Sequence, residues 1–378
     1  MKAAIIVGAG IGGLAAAIAL RRSGWDVRVV EQAQSPRELG FALALAPNAL
    51  AALRELGLKD DVVSRGIEVK SFEARRPDGR VMKRVDLRGH AVQSVVTLRP
   101  ALHGTLLSAV GPDALILGRR AVTLAPPGDD GAAVVLDDGS RLRGDIVVGA
   151  DGVGSVVRQA LHPAEAPPRP SGYHALRGVS HDVGDRLGTA DAAIYLGDGV
   201  EVGFARASAS AVYWYISLVD ELASGAVTET IERCLRGFDA NALAIADAAK
   251  PEDLRRDRLF YRDPIHDWGT GRVTLLGDAA HPVLPHTAQG AALALEDAVA
   301  LGLVLRGTDA AAALRRYERV RAPRTRSVVR SGPRIAAMTT TRSRVRSAVR
   351  GTLMRLTPAR ALAVALTLHA RDPHRALR

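Results

Sequence analysis

Short apolar runs alternate with amphipathic segments at the start of the chain. Residues 3–8 (AAIIVG) predict a buried strand, residues 11–22 a helix and residues 26–31 a second strand. A strand–helix–strand unit of about thirty residues has the length that a crossover between parallel strands requires. The amino-terminal pattern therefore predicts a βαβ unit within a parallel sheet.

Alternation of apolar and polar residues predicts antiparallel strands in two later regions, residues 67–97 and 172–218. The first region contains a turn signal at Asp78-Gly79. Four prolines between Pro163 and Pro170 indicate a crossing between domains. Because the antiparallel patterns interrupt the parallel ones, the sequence predicts two domains that share the chain discontinuously.

The last part of the chain is helical in pattern and strongly basic. The pattern runs from Asp309 to the end, and Pro323, Pro333 and Pro358 predict breaks in it. Residues 315–378 contain 17 arginines and two acids, whereas the whole chain carries a net charge of +11. Three interpretations stay open: a solvated helical face packed on the protein, a helix that contacts a membrane surface peripherally, and a nucleic-acid surface. Nucleic acid is disfavoured because no reader motif is present.

Composition limits the class of protein. With 378 residues, 47% hydrophobic and 24% charged, the chain is long enough for two domains and a sizeable core. The single cysteine, Cys234, excludes an internal disulfide and any cysteine-based metal site, so no metal centre is expected. The same observation favours a reducing, cytoplasmic location. No run of about 18 apolar residues and no signal-peptide pattern is present.

The first candidate site is the GAGIGG stretch. Gly8, Gly10 and Gly13 follow the first predicted strand and open the first predicted helix, and Glu31 ends the second strand. Glycines at this spacing let the backbone approach a pyrophosphate at a helix amino terminus, and the acid can bind a ribose diol. A dinucleotide site is favoured over a bare structural turn, but the pattern does not distinguish NAD from FAD.

Two further stretches place an acid directly after an apolar strand. IVVGADGVGSVVR ends its strand at Asp151-Gly152, and Ser155 then opens a helix; the alternative is a surface turn with an amino-terminal cap. VTLLGDAAHPVLPHTAQGAALALEDA places Asp278 after its strand and before a long helix. Here the alternative is that Asp278 caps a neighbouring element.

Together the three motifs, in this order and spacing, resemble the class A flavin-dependent monooxygenases, the para-hydroxybenzoate hydroxylase group. The resemblance covers residues 1 to about 330. It implies that the glycine motif binds the pyrophosphate of FAD, that Glu31 binds the adenosine ribose, and that Asp278 binds the ribityl chain. It associates Asp151 with both FAD and the pyridine nucleotide.

The resemblance extends to the wall of the flavin pocket. Arg37 and Arg99 match arginines near the flavin, and the helix that begins near Gln289-Gly290 would point its positive end at the flavin. The chain departs from the family pattern PxxGQG, because Ala288 replaces a glycine and adds a methyl group. A GxG pattern after Arg37 is likewise altered, to Gly40-Phe41-Ala42.

The implied reaction is reduction of FAD by NADPH or NADH, which binds transiently, then reaction with O₂ and oxygen transfer through a flavin C4a-hydroperoxide. The product would be a hydroxylated or epoxidised aromatic or polycyclic small molecule. Two alternatives share the fold: a flavin reductase of prenyl double bonds, and an FAD-binding relic without catalysis. A flavin halogenase is excluded because the W-x-W-x-I-P motif is missing.

Aromatic residues on the second region of strands are candidates for substrate contact: Tyr173, Tyr195, Tyr213 and Tyr215. Since side chains alternate along a strand, Tyr213 and Tyr215 share one face and Trp214 points to the other. The alternative for each tyrosine is a place in the core of the sheet.

A loop histidine is the candidate base. His286, next to Pro285, is expected near the flavin, where it could take a proton from a phenol or a ring N–H. The alternative is a solvent-facing histidine. His281 is interpreted as structural. The layout of the chain also resembles that of the flavin-dependent urate hydroxylases, and this resemblance implies a basic residue near the strand position of Glu201. An acid there argues against an anionic purine as substrate, so a more apolar or aromatic molecule is expected.

The predicted fold class is α/β, with a Rossmann-like FAD-binding domain, a discontinuous substrate domain rich in β-sheet, and C-terminal helices. The predicted boundaries are 1–70, 98–165 and 270–330 for the FAD-binding domain, 71–97 and 166–269 for the substrate domain, and 331–378 for the basic C-terminal helices. The oligomeric state is not predicted.

Overall fold

The computed structural model describes residues 1–35, 41–88, 94–126, 131–307, 309–359 and 361. Its strands are β1 Ala3–Val7, β2 Asp26–Glu31, β3 Ala42–Leu45, β4 Ile67–Glu68, β5 Ser71–Arg75, β6 Val81–Asp86, β7 Val95–Leu98, β8 Leu115–Leu117, β9 Ala121–Leu124, β10 Ala132–Leu136, β11 Arg141–Gly144, β12 Ile146–Gly149, β13 Arg169–His181, β14 Ala192–Leu196, β15 Val200–Arg206, β16 Ala211–Val219, β17 Arg255–Tyr261 and β18 Val273–Leu275. Its α-helices are α1 Ile11–Arg22, α2 Pro47–Glu55, α3 Lys59–Ser64, α4 Arg99–Val110, α5 Val156–Leu161, α6 Val227–Leu235, α7 Ala240–Asp247, α8 Gly290–Val304, α9 Ala310–Thr339 and α10 Arg344–Leu356.

A parallel sheet forms the centre of the first half of the molecule. Its order is β18-β12-β1-β2-β8, and each neighbouring pair is parallel. Helix α1 joins β1 to β2, as the amino-terminal pattern predicts. Small residues bring helices α1 and α8 close together, because a Cβ on Gly302 would lie 2.9 Å from the carbonyl oxygen of Ala19. This α/β layer, with α1 against both sheet and helix, fixes the carboxyl ends of β1, β12 and β18 at one edge.

A seven-stranded sheet forms the second half, in the order β17-β13-β16-β15-β14-β5-β6. The pair β14–β5 is parallel and the other pairs are antiparallel. Its strands come from residues 71–86 and 169–261, whereas β7 pairs with β3 and β4 in a separate small sheet. The predicted two-part, discontinuous α/β architecture is confirmed at this level, and the exact domain boundaries stay a prediction.

The two faces of the seven-stranded sheet have different partners. Trp214 is fully buried in a core with residues of α6 and α7, such as Ile231 and Ile245. Tyr213 and Tyr215 point to the opposite face, where they line a cavity shared with the first half. The predicted alternation of these three residues is therefore confirmed.

The C-terminal helices differ from the prediction. Helix α9 runs unbroken for 30 residues through Pro323 and Pro333, so breaks at these two prolines are wrong. A proline inside a helix removes one hydrogen bond. The arginines on either side of Pro323, Arg321 and Arg324, are both paired with Glu296 of α8, which holds the helix in line. Helix α10 ends at Leu356, just before Pro358. No described helix combines the length and the apolarity that a bilayer span requires.

A buried carboxyl group links α9 to the parallel sheet. Glu318 accepts hydrogen bonds from the Thr274 hydroxyl (2.7 Å) and from Arg315 (2.8 Å). Burial raises the pKa of Glu318 to about 7, with Thr274 and Arg315 opposing the shift. A carboxyl whose pKa is higher in the folded than in the unfolded chain contributes most stability below the unfolded pKa, and this contribution is lost as pH rises through about 7.

We therefore expect Glu318→Gln to raise the free energy of unfolding by about 2 kcal/mol at pH 8, because glutamine keeps an acceptor oxygen and carries no buried charge. At pH 5 the gain should be much smaller. Chemical denaturation at both pH values measures the difference, with Glu221→Gln at an exposed position as the control. A gain that is the same at both pH values contradicts the assignment.

Candidate cofactor and substrate site

The glycine motif forms a tight turn between β1 and α1. Gly8 has φ of +102°, and a Cβ there would lie 2.5 Å from the carbonyl oxygen of Ala150. A Cβ on Gly13 would overlap the carbonyl oxygen of Gly8. At Gly10, in contrast, a Cβ would meet no protein atom within 4 Å. Two glycines are thus required by the fold, and Gly10 leaves an open surface at the amino terminus of α1.

Glu31, at the end of β2, holds this turn in place. Its carboxylate accepts hydrogen bonds from the backbone N–H groups of Ala9 and Ala33, each at 2.9 Å. The buried His103 Nε2 lies 2.8 Å from the carbonyl oxygen of Ala9 on the other side. Sequence reasoning missed both backbone contacts. They show that Glu31 shapes the turn, and its binding to a ribose stays a prediction.

Asp151 is occupied by the helix that follows it. Its carboxylate accepts hydrogen bonds from the Ser155 hydroxyl (2.5 Å) and from the backbone N–H groups of Val156 (2.8 Å) and Val157 (3.3 Å). Burial raises the pKa of Asp151, and these hydrogen bonds oppose the shift. The side chain therefore caps α5, the alternative that the sequence left open. Its neighbours Ala150 and Gly152 line the cavity whereas Asp151 does not, so a cofactor role for Asp151 itself stays a prediction.

Arg158, which the sequence did not single out, connects the second motif to the third. It is fully buried, and its guanidinium donates to the carbonyl oxygens of Ala279 (3.1 Å) and Ala280 (2.9 Å). Glu165 matches its charge at 2.5 Å. These contacts fix the backbone that directly follows Asp278.

A second buried network fixes the same loop from the side of α8. Asp297 accepts hydrogen bonds from the backbone N–H of Gly277 (3.1 Å) and from Arg321 (2.6 Å), and His281 Nε2 lies 2.5 Å away. Although burial opposes it, the charges of His281 and Arg321 hold the pKa of Asp297 below its usual range. His281 therefore has a structural place in this network, in agreement with its interpretation from the sequence.

Asp278 has no such partner, since it accepts no hydrogen bond within the part of the chain that the structure describes. Its side chain is exposed to the cavity, and desolvation by the surrounding protein raises its pKa while His281 and Arg99 oppose the shift. Arg99 opens α4 on the same cavity, and its backbone N–H donates to the carbonyl oxygen of Phe41 at 2.6 Å. The alternative in which Asp278 caps a neighbouring element is therefore wrong. An acid that lines a cavity and accepts no hydrogen bond from the fold can accept hydrogen bonds from the hydroxyl groups of a ligand.

The loop before α8 contains Ala288 at the position where the family pattern has a glycine. Helix α8 begins at Gly290, as predicted, and the Gln289 side chain accepts a hydrogen bond from Asn48 at 3.0 Å. Ala288 adopts φ of +50°, the left-handed region that favours glycine. The methyl group therefore costs about 1 kcal/mol relative to glycine, but it does not close the cavity.

One cavity of about 430 Å³ brings most of the predicted site residues together. Its wall includes Gly10, Arg99, Asp278, Pro285, His286, Gln289, Gly290, Tyr213 and Tyr215. Glu31 lies behind the glycine turn, and Arg37 and Gly40 are outside the described residues. The described residues contain no cluster of His, Cys, Asp or Glu that could hold a metal ion.

Tyrosine and histidine side chains form the substrate side of this cavity. The Tyr215 hydroxyl donates to Glu201 at 2.5 Å, and Glu201 is only 5% exposed. His286 Nε2 lies 2.6 Å from the Ser217 hydroxyl, and burial lowers the pKa of His286. Tyr173 packs edge-on against the His286 ring. His286 is thus half-buried against Ser217 and Tyr173 rather than solvent-facing, and its role as a base stays a prediction.

Tyr195 does not belong to the site. It is 1% exposed and packs against Phe204 and Phe238 in the core on the other face of the sheet. Its candidacy for substrate contact was wrong because its strand, β14, presents this position to α6 and α7 and not to the cavity.

The residues present fit FAD. The open surface at Gly10 meets the amino terminus of α1, where free N–H groups suit a pyrophosphate. The carboxylate oxygens of Asp278 receive no hydrogen bond from the described residues, so they can accept hydrogen bonds from the hydroxyls of a ribityl chain. The amino terminus of α8 at Gly290 faces the same cavity and favours negative charge on a reduced ring.

Comparisons with known proteins agree with this fit. A family model described as "FAD binding domain" matches residues 1–332. Aurachin C monooxygenase/isomerase of Stigmatella aurantiaca is 33% identical over 363 residues, 93% of each chain. FAD-dependent urate hydroxylase of Mycolicibacterium vanbaalenii is 32% identical over 341 residues, 86% of this chain and 85% of the relative. The crystal structure of Klebsiella pneumoniae HpxO complexed with FAD and uric acid superposes with a TM-score of 0.91 at 28% identity, covering 98% of this chain and 97% of that one.

We expect Gly10→Ala to weaken FAD binding by at least about tenfold, since a methyl group at the closest approach displaces one pyrophosphate hydrogen bond, about 1.4 kcal/mol. Gly10 has an ordinary φ of −72°, so the apoprotein should keep its unfolding temperature. Fluorescence titration of apoprotein with FAD measures the change. Gly104→Ala on α4, which also meets no neighbouring atom, is the matched control. Unchanged affinity in Gly10→Ala would place the pyrophosphate elsewhere.

Proposed function

The chain belongs to the family of FAD-dependent aromatic monooxygenases, and from this premise we propose that it hydroxylates an uncharged aromatic molecule that carries a ring O–H or N–H group. The observation that carries the proposal is a single cavity lined by Asp278 and by Tyr215, whose hydroxyl is paired with Glu201 behind it. The cavity thus offers an acceptor to the cofactor and an acceptor to a hydrogen-bond donor of the substrate.

Bound FAD would accept two electrons from NADH or NADPH and would activate O₂, one atom of which enters the substrate. Asp278 would hold the ribityl hydroxyls, and the turn at Gly10 would hold the pyrophosphate. Pro285, in the loop before α8, lines the cavity next to His286. This loop would exclude water from the reacting atoms.

Tyr215 would recognise a hydrogen-bond donor of the substrate, because its own hydroxyl proton is already donated to Glu201. The hydroxyl donates to Glu201, so the oxygen presents only lone pairs to the cavity. Burial and Glu201 raise the pKa of Tyr215 well above its ordinary value, which keeps it a neutral acceptor at neutral pH. Gly203 permits this arrangement, since a Cβ there would overlap the Tyr215 ring.

His286 is the proposed base. Its lowered pKa leaves the imidazole neutral at neutral pH, and Nδ1 is buried without a hydrogen-bond partner among the described residues. A neutral imidazole can take the proton from a substrate hydroxyl or N–H as the substrate ring becomes more electron-rich, and because Nδ1 is closed off from the cavity here, the substrate would have to displace the imidazole to reach it. In this structure Ser217 holds the imidazole through Nε2.

Charge on the substrate side disfavours an anionic substrate. No Lys or Arg among the described residues forms an ion pair with Glu201. Arg177, which lines this side of the cavity, is matched by Asp257 at 2.6 Å. A substrate carboxylate roughly 7 Å from Glu201 would cost about 2 kcal/mol at an effective dielectric constant of ~20.

The cavity wall contains no residue of α9 or α10, so the proposed reaction does not use them, and contact of the basic C-terminal region with a membrane is a separate proposal. A cytoplasmic location also stays a proposal, supported by the single cysteine, Cys234, a buried thiol whose pKa burial raises to about 11.

Three naphthalenes test the proposed function. The FAD-loaded protein is mixed with NADPH or NADH and O₂, and nicotinamide oxidation, peroxide release and hydroxylated product are measured. We expect 2-naphthol to stimulate oxidation and yield product. We expect 2-methoxynaphthalene, which lacks the donor, and 6-hydroxy-2-naphthoate, which adds a carboxylate, to do so at least about tenfold less well. Equal turnover of the carboxylated and neutral compounds contradicts the substrate class.

Glu201→Gln should reduce the preference for 2-naphthol over 6-hydroxy-2-naphthoate by about tenfold, because it removes the buried negative charge and keeps an acceptor for Tyr215. Glu318→Gln, an identical change away from the cavity, should leave the preference unchanged. A preference that survives in Glu201→Gln assigns the selection to another residue.

A further inference from the structure

The outward side of α10 carries a row of apolar side chains. Val345, Val349, Leu353 and Leu356 are 73%, 52%, 54% and 75% exposed. Their spacing of four, four and three residues places them on one face of the helix. Large apolar side chains scattered singly are normal on a protein surface, whereas a continuous row marks a contact surface.

Arginines border this apolar row on both sides. By helical spacing, Arg346 lies along one edge and Arg344 and Arg355 along the other, while Arg342 lies just before the helix begins, and all four are exposed. The sequence contains no acid between Glu318 and Asp372. The row is therefore surrounded by positive charge that no acid of its own segment neutralises.

The opposite side of α10 fixes the helix to the protein. Arg350 is 7% exposed and donates to the carbonyl oxygens of Thr339 (2.6 Å), Met338 (3.2 Å) and Leu196 (3.3 Å). At the other end, Lys83 donates to the carbonyl oxygen of Arg355 at 3.1 Å. The folded structure thus holds the apolar row outward.

A second cavity, of about 560 Å³, lies beside the same helix. Its wall includes Arg76, Arg342, Arg344 and Arg355, together with one acid, Asp198. Guanidinium groups bind phosphate oxygens through strong, directional hydrogen bonds. A cavity with this lining and size suits the headgroup of an anionic phospholipid. Arg344 and Arg355 border both this cavity and the apolar row.

We propose that α10 docks the protein on the surface of an anionic membrane. The apolar row would enter the boundary between headgroups and acyl chains, and the arginines would bind the phosphates beside it. A second copy of the chain fits less well, because the bordering arginines of two copies would face each other. Membrane contact would place the enzyme where uncharged aromatic molecules accumulate, although the proposal does not depend on that substrate class.

Co-sedimentation of the full-length, FAD-loaded protein with lipid vesicles tests the proposal. We expect it to pellet with vesicles of equal parts phosphatidylglycerol and phosphatidylcholine, and to stay in solution with phosphatidylcholine alone. The double variant Val349→Glu/Leu353→Glu should bind at least about tenfold less tightly. Arg344→Gln/Arg355→Gln should lose about fivefold per arginine, and high salt should weaken the wild type.

Val122→Glu is the matched control, since Val122 is 41% exposed on β9 and away from α10. It should bind vesicles like the wild type. Flavin absorbance and unfolding temperature identify any variant that has lost its fold. Wild-type protein that stays in solution with anionic vesicles overturns the proposal, as does unchanged binding of the Glu double variant. Light scattering that shows a dimer without lipid, converted to a monomer by the same variant, would assign the row to a second copy.

Discussion

The structure depends on a buried network of charges between α8 and α9. Glu296 and Asp297 are neighbours in an otherwise apolar helix, and both are fully buried. Arg321 reaches both carboxylates at 2.7 and 2.6 Å. Removing one partner from such a network leaves an uncompensated buried charge, which costs about 3–5 kcal/mol. Because Asp297 also binds the backbone N–H of Gly277, the network fixes the loop that carries the cofactor-facing acid.

That loop shows a division of roles between neighbouring acids. Asp297 is paired on every side and holds the backbone, while Asp278 stands at the cavity without a donor. The Asp278 carboxylate is exposed to the cavity, so solvent can hydrate it in the apoprotein and no contact of the fold depends on it. Arg158 and Asp297 fix the backbone next to it, which leaves the carboxylate in place for a ligand with hydroxyl groups.

Local features of the site could be predicted from sequence, and long-range ones could not. The glycine turn, the start of α8 at Gly290 and the opposite orientation of Trp214 follow from spacing alone. Arg158 reaches the carbonyl oxygen of Ala279, 121 residues away, and Arg321 reaches Asp297, 24 residues away, so no local pattern identifies these two contacts. The one signal of a buried charge network in the sequence was the pair of adjacent acids, Glu296 and Asp297, within the apolar pattern of α8. The break predicted at Pro323 failed because the ion pairs of Arg321 and Arg324 override local propensity, and the helix also continues through Pro333.

The most direct test of the account is to measure apoprotein stability and FAD affinity together in Asp278→Ala. If Asp278 is held for a ligand, the variant apoprotein should unfold at a free energy equal to or higher than that of the wild type, while FAD binds at least about tenfold more weakly. The affinity for FAD should fall while the stability of the apoprotein does not. A variant apoprotein that is less stable and still binds FAD like the wild type would show that Asp278 serves the fold, and would contradict the central claim.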